Sequence, residues 1–183
     1  MAEIGAGLSW SKERQAGPDM AARIPITFFA PARREPIEVV RRQAGRVGRT
    51  PFARTFLNGS LNYLFVLNAR RQIVMASENV LELVPGKTVD HIVGLRPGEA
   101  LGCIHAYECE SGCGTSQFCH QCGAVKVILA GLAGTRHMEE FRLTRRIGGQ
   151  EASLELRVLA TPLVCDNERY TLLAVANVGH EKR

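Results

Sequence analysis

The sequence has 183 residues, of which 45% are hydrophobic, a size and composition that suit one globular domain with or without a tail. No apolar run approaches the ~20 residues that a membrane-spanning helix needs, and the N-terminus lacks the basic and apolar stretches of a signal peptide. We therefore expect a cytoplasmic protein without membrane contact, in which six reduced cysteines point to metal or redox chemistry rather than to disulfides.

The net charge of +5 lies entirely in the N-terminal part of the chain. Residues 1–55 contain ten Lys or Arg and five Asp or Glu, whereas residues 56–183 contain thirteen of each. No aromatic residue lies between the arginines at positions 33–49, although aromatic residues normally accompany basic ones where single-stranded nucleic acid binds. We interpret residues 1–50 as a basic, flexible tail that contains proline and glycine, and we do not expect nucleic-acid binding.

The tail and its junction each contain one short helical pattern. EPIEVVRRQAG predicts a helix that begins at Pro36 and is ended by Gly45 and Gly48. Thr50–Pro51 then supplies a cap and first turn for a second helix. We expect this second helix to pack onto the domain at residues 51–183.

Strand and helix patterns alternate in the first half of that domain. LNYLFVLN and RQIVMAS, separated by a short turn, predict a β-hairpin. ENVLELVPG and KTVDHIVG predict two short helical segments, and GAVKVILAGLAG predicts a longer helix that ends at glycine.

The last third of the chain has the pattern of a three-stranded meander. Two turns, Gly148–Gly149 and Asp166–Asn167, separate its strands. Between them Leu154, Leu156 and Val158 alternate with polar residues, which is typical of a strand with one solvated face. Two strands, several short helices, one longer helix and three strands together predict an α+β fold, a five-stranded antiparallel sheet with the helices on one face.

The segment before the longer helix is rich in cysteine and glycine. Its thiols are spaced Cys103-x9-Cys113-x5-Cys119-x2-Cys122, and Cys109 is an additional thiol between glutamates. Four thiolates are the ligand set of structural zinc and of iron–sulfur clusters. We predict that these four cysteines hold a metal centre. Reserve ligands are Cys109, His105 and His120, whereas Cys165 is expected to pack at a strand end.

The hairpin stretch NYLFVLNARRQIVMASENVLELV resembles the opening of a PAS sensor domain. GLRPGEALGCIHA, followed by GCGTSQFCHQCGAVKVIL, resembles a cysteine-bearing PAS subgroup found at the input end of bacterial sensor histidine kinases. The resemblance covers residues 58–183 and implies a PAS-like sensory domain with a cysteine-rich insertion at 103–123. It also implies signal transduction in a two-component system, as a homodimer or through a separate signalling protein such as a histidine kinase. The given sequence contains no phosphoacceptor or ATP-binding region, so we expect output through another protein or another part of the gene product.

Three functions remain to be distinguished. The first is a sensor of redox state, oxygen or metal supply with an iron–sulfur cluster, slightly favoured over zinc because clusters tolerate irregular ligand spacing. The second is an interaction module in which zinc only staples the loop. The third is a thiol–disulfide oxidoreductase that uses Cys119 and Cys122, although that chemistry normally accompanies a parallel βαβ framework. We expect no enzymatic activity, and we interpret Arg96-Pro97-Gly98-Glu99 as a turn that leads into the cysteine segment.

Overall fold

The structure, a computed structural model, describes residues 27–49 and 51–179. Its α-helices are α1 (Ile37–Val47), α2 (Pro51–Asn58), α3 (Val89–Ile92), α4 (Pro97–Ala100) and α5 (Gly123–Leu132). Its strands are β1 (Tyr63–Leu67), β2 (Ile73–Ala76), β3 (His137–Ile147), β4 (Gln150–Cys165) and β5 (Glu168–Asn177). Three short 3₁₀ helices span Glu78–Glu82, Ile104–Tyr107 and Gln117–His120.

The five strands form one antiparallel sheet in the order β2-β1-β5-β4-β3. The meander follows from its turns. Gly148 and Gly149 both have positive φ, as do Asp166 and Asn167, which is the backbone of tight hairpin turns. The predicted hairpin, meander and five-stranded antiparallel sheet are therefore confirmed.

The main hydrophobic core lies between one face of the sheet and α5. Leu156, Val158 and Leu173 from the sheet and Val127 and Ile128 from α5 are all buried in it. The short segments between β2 and α5 close the same core, as the sequence predicted. Burial of these aliphatic side chains is the dominant stabilising contribution of the domain.

The opposite face of the sheet is covered by α1, which packs against β2. Val40 of α1 is fully buried with Val66, Val74 and Tyr170 in a second hydrophobic cluster. This helix begins one residue after the predicted Pro36, continues through Gly45 and ends at Val47, with Gly48 as its C-cap residue. Helices thus lie on both faces of the sheet, whereas the sequence analysis placed them on one, because a thin apolar stripe is enough to dock a helix on an apolar sheet face.

Residues 27–36 are also packed against the domain. The backbone N–H groups of Phe28 and Ala30 donate to the carbonyl oxygens of Thr115 and Gly114, both at 2.9 Å, and Ala30 is buried. This part of the predicted tail therefore differs from the flexible segment that we expected. Residues 1–26 lie outside the described residues.

No helix in the described ranges is long and apolar enough to cross a membrane.

Two helical glycines are expected to respond oppositely to alanine. At Gly131 in α5, an added Cβ would lie 2.7 Å from Thr171 Cγ2 and 3.0 Å from Ala160 Cβ, whereas at Gly45 in α1 nothing lies within 4 Å. We expect Gly131→Ala to lower the free energy of unfolding by about 1–3 kcal/mol through overpacking. Gly45→Ala should raise it by up to about 1 kcal/mol, because alanine is the better helix former. Urea denaturation of both variants checks this, and equal signs would contradict the packing of α5.

Candidate metal centre

The cysteine loop, residues 103–123, connects α4 to α5 beside the edge strand β3. Cys103 forms an isolated antiparallel bridge with Arg145 of β3. At the other end, Cys122 is the N-cap residue of α5. The loop is thus attached both to the sheet and to the helix that packs on it.

The four predicted ligands lie around one cavity of about 50 Å³. The cavity lies between the cysteine loop, α5 and the sheet, and its remaining walls are mostly apolar. The cysteines that line it are Cys103, Cys113, Cys119 and Cys122. Residues up to nineteen positions apart in sequence therefore line one cavity.

Backbone N–H groups near three of the four sulfurs favour the thiolate form. Those of His105 and Ala106 lower the pKa of Cys103, that of Gly98 lowers the pKa of Cys113, and those of Ala124 and Val125 lower the pKa of Cys122, in each case against the larger effect of burial. Neither Cys103 nor Cys122 forms a side-chain cap hydrogen bond with the helix that follows it.

Burial opposes ionisation of the free thiols. It raises the pKa of Cys113 to about 12, and it also raises the pKa of Cys103 and of Cys122, against the opposing effect of their backbone donors. Thiols in this state are poor nucleophiles at neutral pH, since the thiolate is the reactive form. The pKa of Cys122 therefore argues against the thiol–disulfide oxidoreductase, as does the antiparallel sheet.

Gly98 allows the cavity to form. An added Cβ at this position would lie 2.7 Å from Cys113 Sγ and 3.4 Å from Cys103 Cβ. Any side chain here would displace Cys113. The glycine in the Arg-Pro-Gly-Glu motif is thus explained by the close approach of a cysteine.

The same motif is more than the predicted turn. Pro97 begins α4, and Arg96 and Glu99 are both buried charged residues. The Glu99 carboxylate accepts from the backbone N–H groups of Arg96 and Cys113, each at 3.0 Å, and pairs with the Arg34 guanidinium. Glu99 therefore holds the cysteine loop against α4. The sequence signal that could have indicated this role is the pair of oppositely charged residues, Arg96 and Glu99, on either side of Pro97-Gly98.

Arg96 is fully buried. In the described part of the chain, its guanidinium donates hydrogen bonds to backbone carbonyl oxygens. It donates at 2.9–3.3 Å to the carbonyl oxygens of Pro31, Ala32, Arg33, Arg70, Ser111 and Cys113. One side chain thus ties residues 31–33 to the cysteine loop. Sequence reasoning missed this role, because carbonyl acceptors are the same in every residue.

The reserve ligands have other contacts. Cys109 lies in a separate groove with Arg34 and Lys87. His105 stacks on Phe118 and contacts Glu108 at 2.7 Å, although its side chain also borders the cysteine cavity. The structure therefore separates Cys109 from the four cysteines of the cavity.

His120 and Cys165 lie away from the cavity as well. His120 contacts the carbonyl oxygen of Phe28 at 2.8 Å and packs on the Phe29 ring. Cys165, at the end of β4, packs in the cluster on the α1 face of the sheet. Both side chains therefore make packing contacts outside the cavity.

The four thiols surround the cavity without converging on a single point. In the described part of the chain, no three His, Cys, Asp or Glu side chains are close enough to hold one metal ion. Tetrahedral zinc, with Zn–S bonds of about 2.3 Å, requires such convergence. The thiols as they lie in the structure therefore do not form a tetrahedral site.

Sheet topology decides the fold class. Five antiparallel strands carry α5 and several short helices on one face, as the resemblance of the sequence implied. The fold is PAS-like. Membership of the cysteine-bearing PAS subgroup stays a prediction.

Solved structures similar to this domain include PAS domains. One is the PAS domain of nitrogen regulation protein NR(II) from Vibrio parahaemolyticus, 16% identical over 70% of this chain and 99% of that chain, with a TM-score of 0.47. A LOV protein from Rhodobacter sphaeroides is 16% identical over 69% of this chain and 65% of that one, with a TM-score of 0.47. The PAS domain of an HTR-like protein from Haloarcula marismortui is 15% identical over 68% and 92%, with a TM-score of 0.44. No protein-family model and no curated protein matches the sequence.

Proposed function

We propose that this PAS-like domain is a cytoplasmic sensor whose input is an iron–sulfur cluster ligated by Cys103, Cys113, Cys119 and Cys122. The observation that carries the proposal is that these four cysteines line one cavity. A bound cluster would supply reversible one-electron chemistry and sensitivity to oxygen.

The chain's own residues link the ligands to the rest of the fold. The backbone of Cys103 forms a β-bridge with Arg145 of β3, so a movement of this ligand would displace the edge strand of the sheet. Cys122 precedes the first turn of α5, which packs against β3, β4 and β5. Loss of the crosslink between the cysteines would free the loop and shift this helix. We propose that the sheet transmits the change to a second copy of the chain or to a separate signalling protein such as a histidine kinase.

Zinc is the alternative occupant, and it would make the domain an interaction module with a structural staple. It requires the thiols to rotate until they converge on one ion. The two occupants are separated by chemistry, since zinc is redox-inactive and colourless.

The test is anaerobic purification of the full chain, with a visible spectrum and with iron, sulfide and zinc analysis on the same sample. We expect broad visible absorption together with iron and acid-labile sulfide, bleached by titration with oxygen. One zinc per chain without visible absorption would contradict the sensor proposal and favour the interaction module with a structural zinc. The absence of all three elements after reconstitution with iron and sulfide would reject a metal centre.

A further inference from the structure

A groove of about 270 Å³ lies beside the cysteine cavity, between the cysteine loop and the edge strand β3. We call it the β3 groove. It has six lining residues in common with the cavity, so the two spaces adjoin each other. These residues are Cys103, His105, Phe118, Cys122, Phe141 and Leu143. The β3 groove also meets solvent, since Gln121 and Arg142 line it and are exposed. It is therefore a path from solvent to the cavity.

The cysteines lie at different depths along this path. Cys103 and Cys122 line both the β3 groove and the cavity. Cys113 and Cys119 line the cavity, and Cys119 is only 5% exposed. A solute that enters through the β3 groove therefore meets the sulfurs of Cys103 and Cys122 first.

Two stacked rings lie where the β3 groove meets the cavity. The ring centroids of His105 and Phe118 are 4.6 Å apart, and the ring planes are inclined by 20°. The two residues belong to different 3₁₀ helices, Ile104–Tyr107 and Gln117–His120, so the stack joins the two halves of the cysteine loop. The His105 ring is held in turn by the Glu108 carboxylate, at 2.7 Å from Nδ1.

Phe118 is the more exposed member of this pair. It is 60% exposed, although burial of a phenylalanine side chain is favourable by about 1.5–3 kcal/mol. Exposed side chains change rotamer within nanoseconds. Rotation of the Phe118 ring would thus open the boundary between the β3 groove and the cavity while the backbone of the loop stays in place.

We propose that Phe118 controls access to the cysteine cavity, admitting small, uncharged solutes and excluding bulky or charged ones. The size limit follows from the cavity volume of about 50 Å³. The charge limit follows from its mostly apolar walls, because transfer of a charge from water into an apolar space has a large unfavourable free energy. Access to the thiols is a property of the chain itself. That dioxygen reaches a bound centre by this route, ahead of larger oxidants, rests on the proposed function.

Modification of the free thiols measures this selectivity. The reduced full chain, without metal, is treated with methyl methanethiosulfonate, which is small and uncharged, or with dithiobis(nitrobenzoic acid), which is bulky and doubly anionic. Mass spectrometry gives the rate of modification at each cysteine. The ratio of the two rates at Cys103 and at Cys122 is compared with the ratio at Cys109, which lies in the separate groove of about 400 Å³. Both reagents react with the thiolate, so the ratio does not depend on the pKa of the thiol. We expect the bulky reagent to be disfavoured at least about tenfold at Cys103 and Cys122.

Phe118→Ala tests the residue itself, and Phe52→Ala is the matched control. Phe52 is also an exposed phenylalanine in a stacked pair, but it lies on α2 and stacks on Phe56. We expect Phe118→Ala to remove most of the discrimination between the reagents and Phe52→Ala to retain it. Undiminished discrimination in Phe118→Ala would overturn the inference. Faster modification of Cys165 in that variant would also overturn it, because Cys165 packs on the opposite face of the sheet and reports a general loosening of the domain.

The access inference and the sensor proposal fail separately. If the unaltered chain shows no discrimination at Cys103 and Cys122, or no modification there by either reagent, the access inference is wrong and the sensor proposal stands. If the chain discriminates between the reagents but takes up no iron or sulfide, the sensor proposal is wrong and control of access by Phe118 stands.

Discussion

Cys113→Ser is expected to abolish the proposed metal centre while the domain stays folded. Cys113 lines the cavity, where Gly98 leaves room for its sulfur, since an added Cβ at Gly98 would lie 2.7 Å from it. Its own N–H bonds to Glu99 at 3.0 Å, and its carbonyl oxygen bonds to Arg96 at 3.2 Å. Serine keeps these backbone contacts and removes only the sulfur. Since the loss of an outer-shell partner already lowers metal affinity by about 10–100-fold, loss of a ligand should lower it by at least about 100-fold.

Cys109→Ser is the matched control. Cys109 is a thiol in the same loop, but it lies in the separate groove with Arg34 and Lys87. Iron and sulfide per chain, measured after anaerobic reconstitution, should match the unaltered protein in Cys109→Ser and fall to background in Cys113→Ser. The reverse result would show that the cysteine loop rearranges when it is loaded and that Cys109 belongs to the ligand set.

Arg96→Met is expected to produce the largest loss of stability among single substitutions outside the hydrophobic core. The arginine is fully buried, and its removal would take away the side-chain donor of the carbonyl oxygens of Ala32, Arg33 and Cys113. An unsatisfied buried polar group costs about 1–3 kcal/mol. Because several acceptors are affected together, we expect the free energy of unfolding to fall by about 3 kcal/mol or more.

Arg96→Lys separates charge from geometry. Lysine keeps the positive charge but cannot match the planar fork of donors, so we expect a smaller loss, about 1–2 kcal/mol. The control is Arg146→Met, because Arg146 is 62% exposed in its surface pair with Glu151, and such pairs contribute about 1 kcal/mol at most. All three variants are compared by urea denaturation. An Arg96→Met variant as stable as Arg146→Met would contradict the role of Arg96 in joining residues 31–33 to the cysteine loop.

The sheet could be predicted because its signals are local. Leu156 and Val158 face the core and alternate with Glu155 and Arg157, a period that only a strand with one solvated face explains. Gly148–Gly149 marked a tight hairpin turn for the same local reason, since glycine adopts positive φ without strain. These features depend on residues a few positions apart.

The extent of the domain could not be predicted in the same way. Residues 27–49 were interpreted as tail because their composition is polar and contains proline. Their docking depends on hydrogen bonds donated by the backbone N–H groups of Phe28 and Ala30. It also depends on the carbonyl oxygens of residues 32 and 33, which accept hydrogen bonds from the buried Arg96. Backbone groups carry no sequence signature, so only the folded chain reveals which of them a distant arginine reaches.

By itself, the sequence determined the order of strands and helices, the antiparallel meander and the set of cysteines from which a centre could be built. Periodicity and turn chemistry depend on residues that are close together along the chain, so they can be recognised from the sequence alone. Tertiary structure alone decided that Cys103, Cys113, Cys119 and Cys122 share a cavity that excludes Cys109. It also decided that Arg96 lies buried against the cysteine loop, where it donates to the carbonyl oxygens of Ser111 and Cys113. Both outcomes depend on how α4, the cysteine loop and residues 28–36 pack together, and packing joins residues that are far apart in sequence.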